Sequence, residues 1–306
     1  MEQRNIPIEQ RHKMFALLAA VSSLFIWKAI KGLFVYSMAH EFCSHIVLIP
    51  FISLALIYVE RKTIFPAAQS SPIPGWIALV SGAVLYWTAG RSNFIQDGNR
   101  YLVAAAFSIV LVWVGSFLLC YGNQAARAAI FPLLFLLLMI PMPDSVLYRV
   151  IHLLQQGSTE IAYLLFKSVR VPVFREGFFL YLPKVTIEVA TECSGIRSSM
   201  ALLITCLLAA HLFLRTYWKM VFFVALVFPL SILKNGIRIT TLALLSIYVD
   251  PRFLFGSLHR DGGIVFFLLV LAILAPVLVL LQKAEDRNGG SNGTIHRKAG
   301  AEFAGG

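Results

Sequence analysis

Residues 101–120 read YLVAAAFSIVLVWVGSFLLC, a stretch without a single charged side chain. A helix of about 20 residues rises about 30 Å, which matches the hydrocarbon core of a bilayer. The segment therefore predicts a transmembrane helix, and further apolar runs of similar character lie on both sides of it.

The composition of the whole chain agrees with this interpretation. Of its 306 residues, 58% are hydrophobic and 13% are charged, whereas a soluble domain has about 25% charged residues. So few charges exclude a cytosolic enzyme, a secreted disulfide-rich module and a disordered protein. The net charge of +11 is scattered through the loops, which indicates contact with anionic membrane lipids and no nucleic-acid partner.

Apolar runs of bilayer length predict about eight transmembrane spans. They cover about residues 14–34, 45–58, 75–89, 101–120, 125–140, 198–214, 219–248 and 264–281. The chain has no internal repeat, and residues 1–282 are predicted to form a single transmembrane domain. The Gly- and Asn-containing segment 283–306 is predicted as a disordered cytoplasmic tail.

Residues 144–198 interrupt the series of spans. Apolar side chains recur at helical spacing over 147–165 with polar residues between them, which is typical of an amphipathic helix in the membrane interface. Residues 185–189 then alternate between apolar and polar, which predicts a short β-hairpin at about 171–190. The predicted fold is an all-α polytopic membrane protein with this interfacial helix and a short exoplasmic hairpin.

Basic residues give the spans an orientation in the cell (inner) membrane. Arg11 and Lys13 precede the first span, and Arg61 and Lys62 follow the second. Because short cytoplasmic loops carry an excess of Lys and Arg, these pairs favour a cytoplasmic N-terminus. Eight spans then return the C-terminus to the cytoplasm and leave residues 144–197 on the outer side.

Three polar stretches lie near span ends, where ionisable side chains are costly unless they are paired or functional. They are residues 191–199 (TECSGIRSS), 234–238 (KNGIR) and 258–261 (LHRD). If the sixth span crosses inward and the seventh returns, all of them lie at the external face. The topology thus predicts that a cysteine, an arginine and a histidine come together there.

These side chains suit thiol-based acyl transfer. Cys193 is the candidate nucleophile, because a helix start capped by Thr191 or Ser194 and a nearby cation would favour its thiolate. His259 would take and return the proton, and Arg238 would stabilise the thiolate or the oxyanion. The predicted active site lies at the external, periplasmic face.

Asn235, Arg197 and Glu192 are possible accessory residues. Asn235 shares a helix face with Arg238 and could hold that side chain or the oxyanion. Each candidate residue could instead have a purely structural role. A cysteine could be a small buried apolar side chain, and an arginine could contact lipid headgroups. The cysteines form no CxxC pair and no metal-ligand spacing with histidine, so neither a disulfide framework nor a metal or cofactor is predicted.

Several of these stretches together resemble the exosortase/archaeosortase family. The resemblance rests on residues 192–198 (ECSGIRS), 235–239 (NGIRI) and His259, with weaker similarity at 43–50 (CSHIVLIP) and 131–143 (FPLLFLLLMIPMP). Similarity to the family runs from about residue 36 to residue 281, which is most of the chain.

The resemblance implies a multispanning cysteine protease or transpeptidase. Such an enzyme would act on exported proteins that end in a tripartite sorting signal, made of a short motif such as Pro-Glu-Pro, a transmembrane helix and a basic tail. By the family's pattern, Cys193 is the nucleophile, Arg238 the cation and His259 the acid or base. The substrate's own helix would dock against the enzyme within the bilayer.

Two other functions are compatible with the same residues. A transporter would line a polar pathway with Arg238, His259 and Glu192, although the chain has no inverted repeat and few intramembrane acids. A thiol-dependent hydrolase or acyltransferase acting on a lipid or a glycan would use the same cysteine. Transport would survive Cys193→Ala, whereas thiol chemistry would not.

Overall fold

A computed structural model describes residues 6–69, 71–91, 99–254 and 263–302. Within these residues, six helices are long and apolar enough to cross a membrane, and two bent helix pairs raise the number of candidate spans to eight. The helices are Glu41–Val59, Pro72–Ala89, Arg100–Ala128, Ile196–Phe213, Tyr217–Tyr248 and Gly263–Arg287, and the pairs are Ile8–Phe25 with Trp27–Ala39 and Ile130–Met139 with Asp144–Ser168. The prediction of an all-α polytopic membrane protein is confirmed, with six to eight candidate spans against the eight predicted.

The chain divides into two compact units, residues 1–148 and 149–306. The helices of the first unit are α1 (Ile8–Phe25), α2 (Trp27–Ala39), α3 (Ile49–Val59), α4 (Arg61–Ile64), α5 (Pro72–Ala89), α6 (Arg100–Ala128) and α7 (Ile130–Phe135), with 3₁₀ turns at Glu41–Val47, Phe65–Ala67 and Leu136–Met139. The first predicted span is not one straight helix, because α1 and α2 meet with a bend of 77°. The assignment of residues 1–282 to a single domain stays a prediction.

The start of α1 lies beside Cys120 and Tyr121 of α6, just before the non-helical backbone of that helix at Gly122. The guanidinium of the buried Arg11 donates a 2.7 Å hydrogen bond from Nη1 to the carbonyl oxygen of Cys120. The next residue along, His12, has its Nδ1 2.8 Å from the hydroxyl oxygen of Tyr121. These contacts join the start of α1 to residues 120–121 of α6. The predicted alternation of spans places both segments on the same side of the membrane.

The second unit contains most of α8 (Asp144–Ser168) and a small antiparallel sheet. Its strands are β1 (Phe174–Glu176), β2 (Phe179–Tyr181) and β3 (Thr186–Glu188), in the order β1-β2-β3, and its later helices are α9 (Ile196–Phe213), α10 (Tyr217–Ala225), α11 (Val227–Tyr248) and α12 (Gly263–Glu302). Leu180 pairs with Ile187 and with Arg175 across the two ladders. The predicted hairpin therefore belongs to a three-stranded sheet, whose first strand, with the sequence Phe-Arg-Glu, lacks the alternation of apolar and polar residues that marks β3.

α8 is the amphipathic helix that the sequence predicts. Ala162 and Phe166 on its buried face pack with Leu180 of β2, Val189 after β3 and Ala243 of α11 in one apolar core. This core holds the sheet against α8 and α11, so the chain leaves β3 at a fixed position. The location of α8 in the membrane interface stays a prediction.

The last two predicted spans differ in detail from the structure. The seventh, predicted over 219–248, consists of α10 and α11, which are separated at Leu226. The eighth, predicted to end near residue 281, continues as helix to Glu302, through a segment whose composition predicts an irregular tail. The assignment of 283–306 as a separate tail stays a prediction.

Candidate active site

Cys193 lies in a short turn between the sheet and α9. The chain leaves β3 at Val189, whose carbonyl oxygen accepts a 2.8 Å hydrogen bond from Nε2 of Gln155 on α8. It then forms a 3₁₀ turn over Thr191–Ser194 and enters α9 after Gly195. Cys193 is half-buried, so its side chain is sheltered by the core without being sealed from an approaching substrate.

Gly195 is the N-cap residue of α9, and the Ser194 hydroxyl just before it accepts a 3.4 Å hydrogen bond from the backbone N–H of Ile196 in the first turn. Gly195 has a φ of 76°, in the left-handed region that glycine adopts without steric cost. Its carbonyl oxygen accepts hydrogen bonds of 3.0 and 2.9 Å from the hydroxyls of Ser198 and Ser199. The tight turn that carries Cys193 therefore depends on the positive φ of Gly195, which lets the chain enter α9.

Asn235 of α11 holds the backbone of the candidate nucleophile. Its side chain is only 1% exposed, and its Nδ2 donates a 2.7 Å hydrogen bond to the carbonyl oxygen of Cys193 and a 3.1 Å bond to Oγ of Ser158. A Cβ atom added to Gly195 would lie 3.1 Å from the Asn235 side chain. The amide thus fits closely under the Cys193 turn, whereas the sequence predicts that it holds Arg238 or the oxyanion.

Close packing of α8 against α11 makes these bonds possible. A Cβ atom added to Gly236 would lie 2.4 Å from Cγ2 of Ile161, and one added to Gly157 would lie 2.8 Å from Ile232. Glycines let helix backbones approach to distances that larger residues forbid. The Ser158 hydroxyl therefore comes within reach of the amide on α11.

Lys234 is a buried cation that the sequence leaves without a role. Its side chain is 3% exposed, and its ammonium donates a hydrogen bond to the Ser198 hydroxyl, which in turn donates to the carbonyl oxygen of Gly195. Among the residues that the structure describes, Lys234 forms no ion pair. A lysine within an apolar span is costly unless it serves a function. Its place within the seventh predicted span could therefore have marked Lys234 as a functional residue.

Arg238 lies one helical turn beyond Lys234 on α11 and is half-buried. Its guanidinium interacts electrostatically with Cys193 and with Lys234. The structure therefore brings together the predicted nucleophile and the predicted cation, which are 45 positions apart in the sequence.

The structure gives less detail on the three remaining candidate residues. Glu192 belongs to the 3₁₀ turn of Cys193, and Arg197 is exposed in the first turn of α9. His259 lies outside the described residues. Within those residues no group of His, Cys, Asp and Glu side chains could hold a metal ion.

Comparison with known proteins gives the family. The transmembrane exosortase family model matches residues 12–276, which include the Cys193 turn and the polar segment of α11. No curated protein and no solved structure matches the chain. The resemblance seen in the sequence is confirmed, and the chain belongs to the transmembrane exosortase family, a family of membrane cysteine transpeptidases.

Proposed function

We propose that this protein is a cysteine transpeptidase or protease that cleaves the C-terminal sorting signal of exported proteins at the outer face of the inner membrane. The observation that supports this most is that Arg238 lies within range of an attractive electrostatic interaction with Cys193, with the backbone of Cys193 held by Asn235. A thiolate is the nucleophilic form of cysteine, and an adjacent cation stabilises it.

In the proposed reaction the Cys193 thiolate attacks the scissile carbonyl carbon, and the C–N bond breaks as a thioester forms. Arg238 stays protonated throughout and stabilises first the thiolate and then the oxyanion of the tetrahedral intermediate. His259 donates the proton to the leaving amine. Attack on the thioester by water or by an acceptor amine then releases the thiol.

Lys234 and Asn235 act in this proposal as positioning residues. Asn235 bonds the Cys193 carbonyl directly, and Lys234 reaches the Gly195 carbonyl through Ser198. Two successive residues of α11 therefore hold two carbonyls of one turn. A nucleophile held in this way loses little conformational freedom when the substrate binds.

The sheet offers a place for an extended recognition motif. β3 is an edge strand of the described sheet, and it leads through Val189 directly into the Cys193 turn. A peptide that adds as a further strand beside β3 would present its backbone next to the thiol, while its transmembrane helix docks against the enzyme's spans. The recognition motif would thereby be read just outside the bilayer.

Co-expression with a protein that carries a tripartite C-terminal signal tests the proposal. Wild type, Cys193→Ala, Arg238→Gln and His259→Ala are compared by immunoblotting for the processed product. Cys206→Ala is the matched control, because that thiol is 1% exposed in an apolar core of the same unit. We expect processing by the wild type and the control and none by Cys193→Ala.

A second measurement separates chemistry from folding. An impermeant alkylating reagent added from outside labels Cys193 in intact cells, and Arg238→Gln slows this labelling because less of the thiol is present as thiolate. Full processing by Cys193→Ala, or labelling of Cys193 from the cytoplasmic side alone, would overturn the proposal. Retained processing would show that a nucleophile other than Cys193 cleaves the signal.

A further inference from the structure

The first unit contains a large cavity that the proposed reaction does not use. It has a volume of about 730 Å³ and lies among α1, α3, α4, α6 and α7. Pockets of about 300–1,000 Å³ are typical of sites for small ligands. The cavity therefore has the size of a binding site.

Most of the cavity wall is apolar, and its inner polar groups are already paired. Phe15, Leu54, Ile57, Phe117, Leu133 and Leu136 line it. The Ser53 hydroxyl donates a 2.7 Å hydrogen bond to the carbonyl oxygen of Pro132, and Nε1 of Trp113 donates a 3.3 Å bond to the Ser23 hydroxyl. This part of the cavity leaves no described polar group for a polar ligand, so it suits a hydrocarbon chain.

Positive charge is confined to the other end. Arg61 and Lys62 begin α4, just after the end of α3, whereas Ser53 lies within α3. The Arg61 guanidinium lies over the Tyr58 ring, 4.2 Å from its centroid. Within the described residues, Lys62 forms no hydrogen bond or ion pair, so its ammonium is available to a ligand.

Aromatic and imidazole groups complete the basic end. The ring of His12 lies 4.7 Å from that of Phe65, with its Nδ1 against the Tyr121 hydroxyl. The rings of His12 and Phe65 line the cavity together with Arg61 and Lys62. A ligand phosphate at this end would meet two cations and an imidazole, and its apolar part would continue inward.

We propose that this cavity binds one anionic phospholipid, with its phosphate at Arg61 and Lys62 and an acyl chain along the apolar wall. Basic pockets between transmembrane helices on the cytoplasmic side bind anionic headgroups, and the predicted orientation places Arg61 and Lys62 on that side. The site is independent of the proposed transpeptidase activity.

Native mass spectrometry of the full-length protein in detergent, titrated with phosphatidylglycerol, phosphatidylcholine or inorganic phosphate, tests this site. The variant Arg61→Gln/Lys62→Gln removes the charge, and Ala19→Phe fills the cavity from α1. Lys167→Gln/Arg170→Gln is the matched control, because it removes the same charge from exposed positions of the second unit. Resistance of Cys120 and Cys206 to alkylation verifies that each variant is folded.

We expect phosphatidylglycerol to bind the wild type and the control at least tenfold more tightly than phosphatidylcholine. Arg61→Gln/Lys62→Gln should lose this preference, and Ala19→Phe should weaken the binding of both lipids. Equal binding of the two lipids by the wild type would overturn the proposal, as would an equal loss in the control pair. Displacement of the lipid by millimolar inorganic phosphate would show a simple phosphate site and would also overturn it.

Discussion

The side-chain amide of Asn235 donates a 2.7 Å hydrogen bond to the carbonyl oxygen of Cys193, which joins α11 to the turn that precedes α9. The two residues are 42 positions apart, so the bond exists only after the helices have packed. Asn235 also binds Ser158 of α8. One amide therefore ties the candidate nucleophile to two helices.

Asn235→Ala is expected to lower processing of a sorting-signal substrate by about 10- to 100-fold, because a buried carbonyl that loses its donor costs about 1–3 kcal/mol. The measurement is the rate of product formation in membranes containing equal amounts of enzyme. Thr240→Val is the control, since the buried Thr240 hydroxyl donates its hydrogen bond to the Gly236 carbonyl within α11 itself. Equal effects of the two substitutions would contradict a specific role for Asn235.

The Lys234 ammonium and the Ser198 hydroxyl are expected to act as one unit, which a double-mutant cycle can measure. Lys234→Met and Ser198→Ala each remove the link to the Gly195 carbonyl, so the double variant should lose little more activity than either single variant. Processing rates and thermal unfolding of all four proteins give the coupling energy. Additive losses would show that Lys234 does not position the turn through Ser198.

The helix content and the number of spans could be predicted from the sequence because apolar runs of bilayer length have few alternative structures. The proximity of Cys193 and Arg238 could be predicted from the length of the seventh span together with opposite directions for the sixth and seventh spans. The role of Asn235 could not be predicted, because it depends on how closely α8 and α11 approach. Lys234 was visible as a charge within a span, but its partner Ser198 lies on another helix, and pairing between helices leaves no local pattern.

Gly195→Ala is expected to abolish most processing, and Gly177→Ala is its matched control. Both glycines have positive φ, 76° and 58°, so either substitution strains the backbone by about 1–2 kcal/mol. A Cβ atom added at Gly195 would press on the Asn235 side chain, whereas a Cβ atom added at Gly177 would have nothing within 4 Å. Thermal unfolding should show comparable losses for both variants, whereas processing should fall strongly only for Gly195→Ala. A comparable loss of processing in Gly177→Ala would indicate general destabilisation instead.

The outer edge of β3 gives the last prediction. Leu182 donates its backbone N–H to the carbonyl of Val185, and Val189 donates to Phe178. Because hydrogen-bonded pairs alternate along an antiparallel ladder, the N–H of Glu188 points away from β2. A substrate strand that added beside β3 would use this N–H as a donor.

Glu188→Pro removes that N–H, and an edge strand tolerates proline where its N–H faces outward. We expect substrate processing to fall about two- to tenfold, the effect of one lost hydrogen bond, while external alkylation of Cys193 is unchanged. Glu188→Gln keeps the N–H and controls for the lost charge. If the proline and glutamine variants process substrate equally, the peptide does not pair with β3 and must reach Cys193 by another route, such as along the exposed first turn of α9 at Arg197.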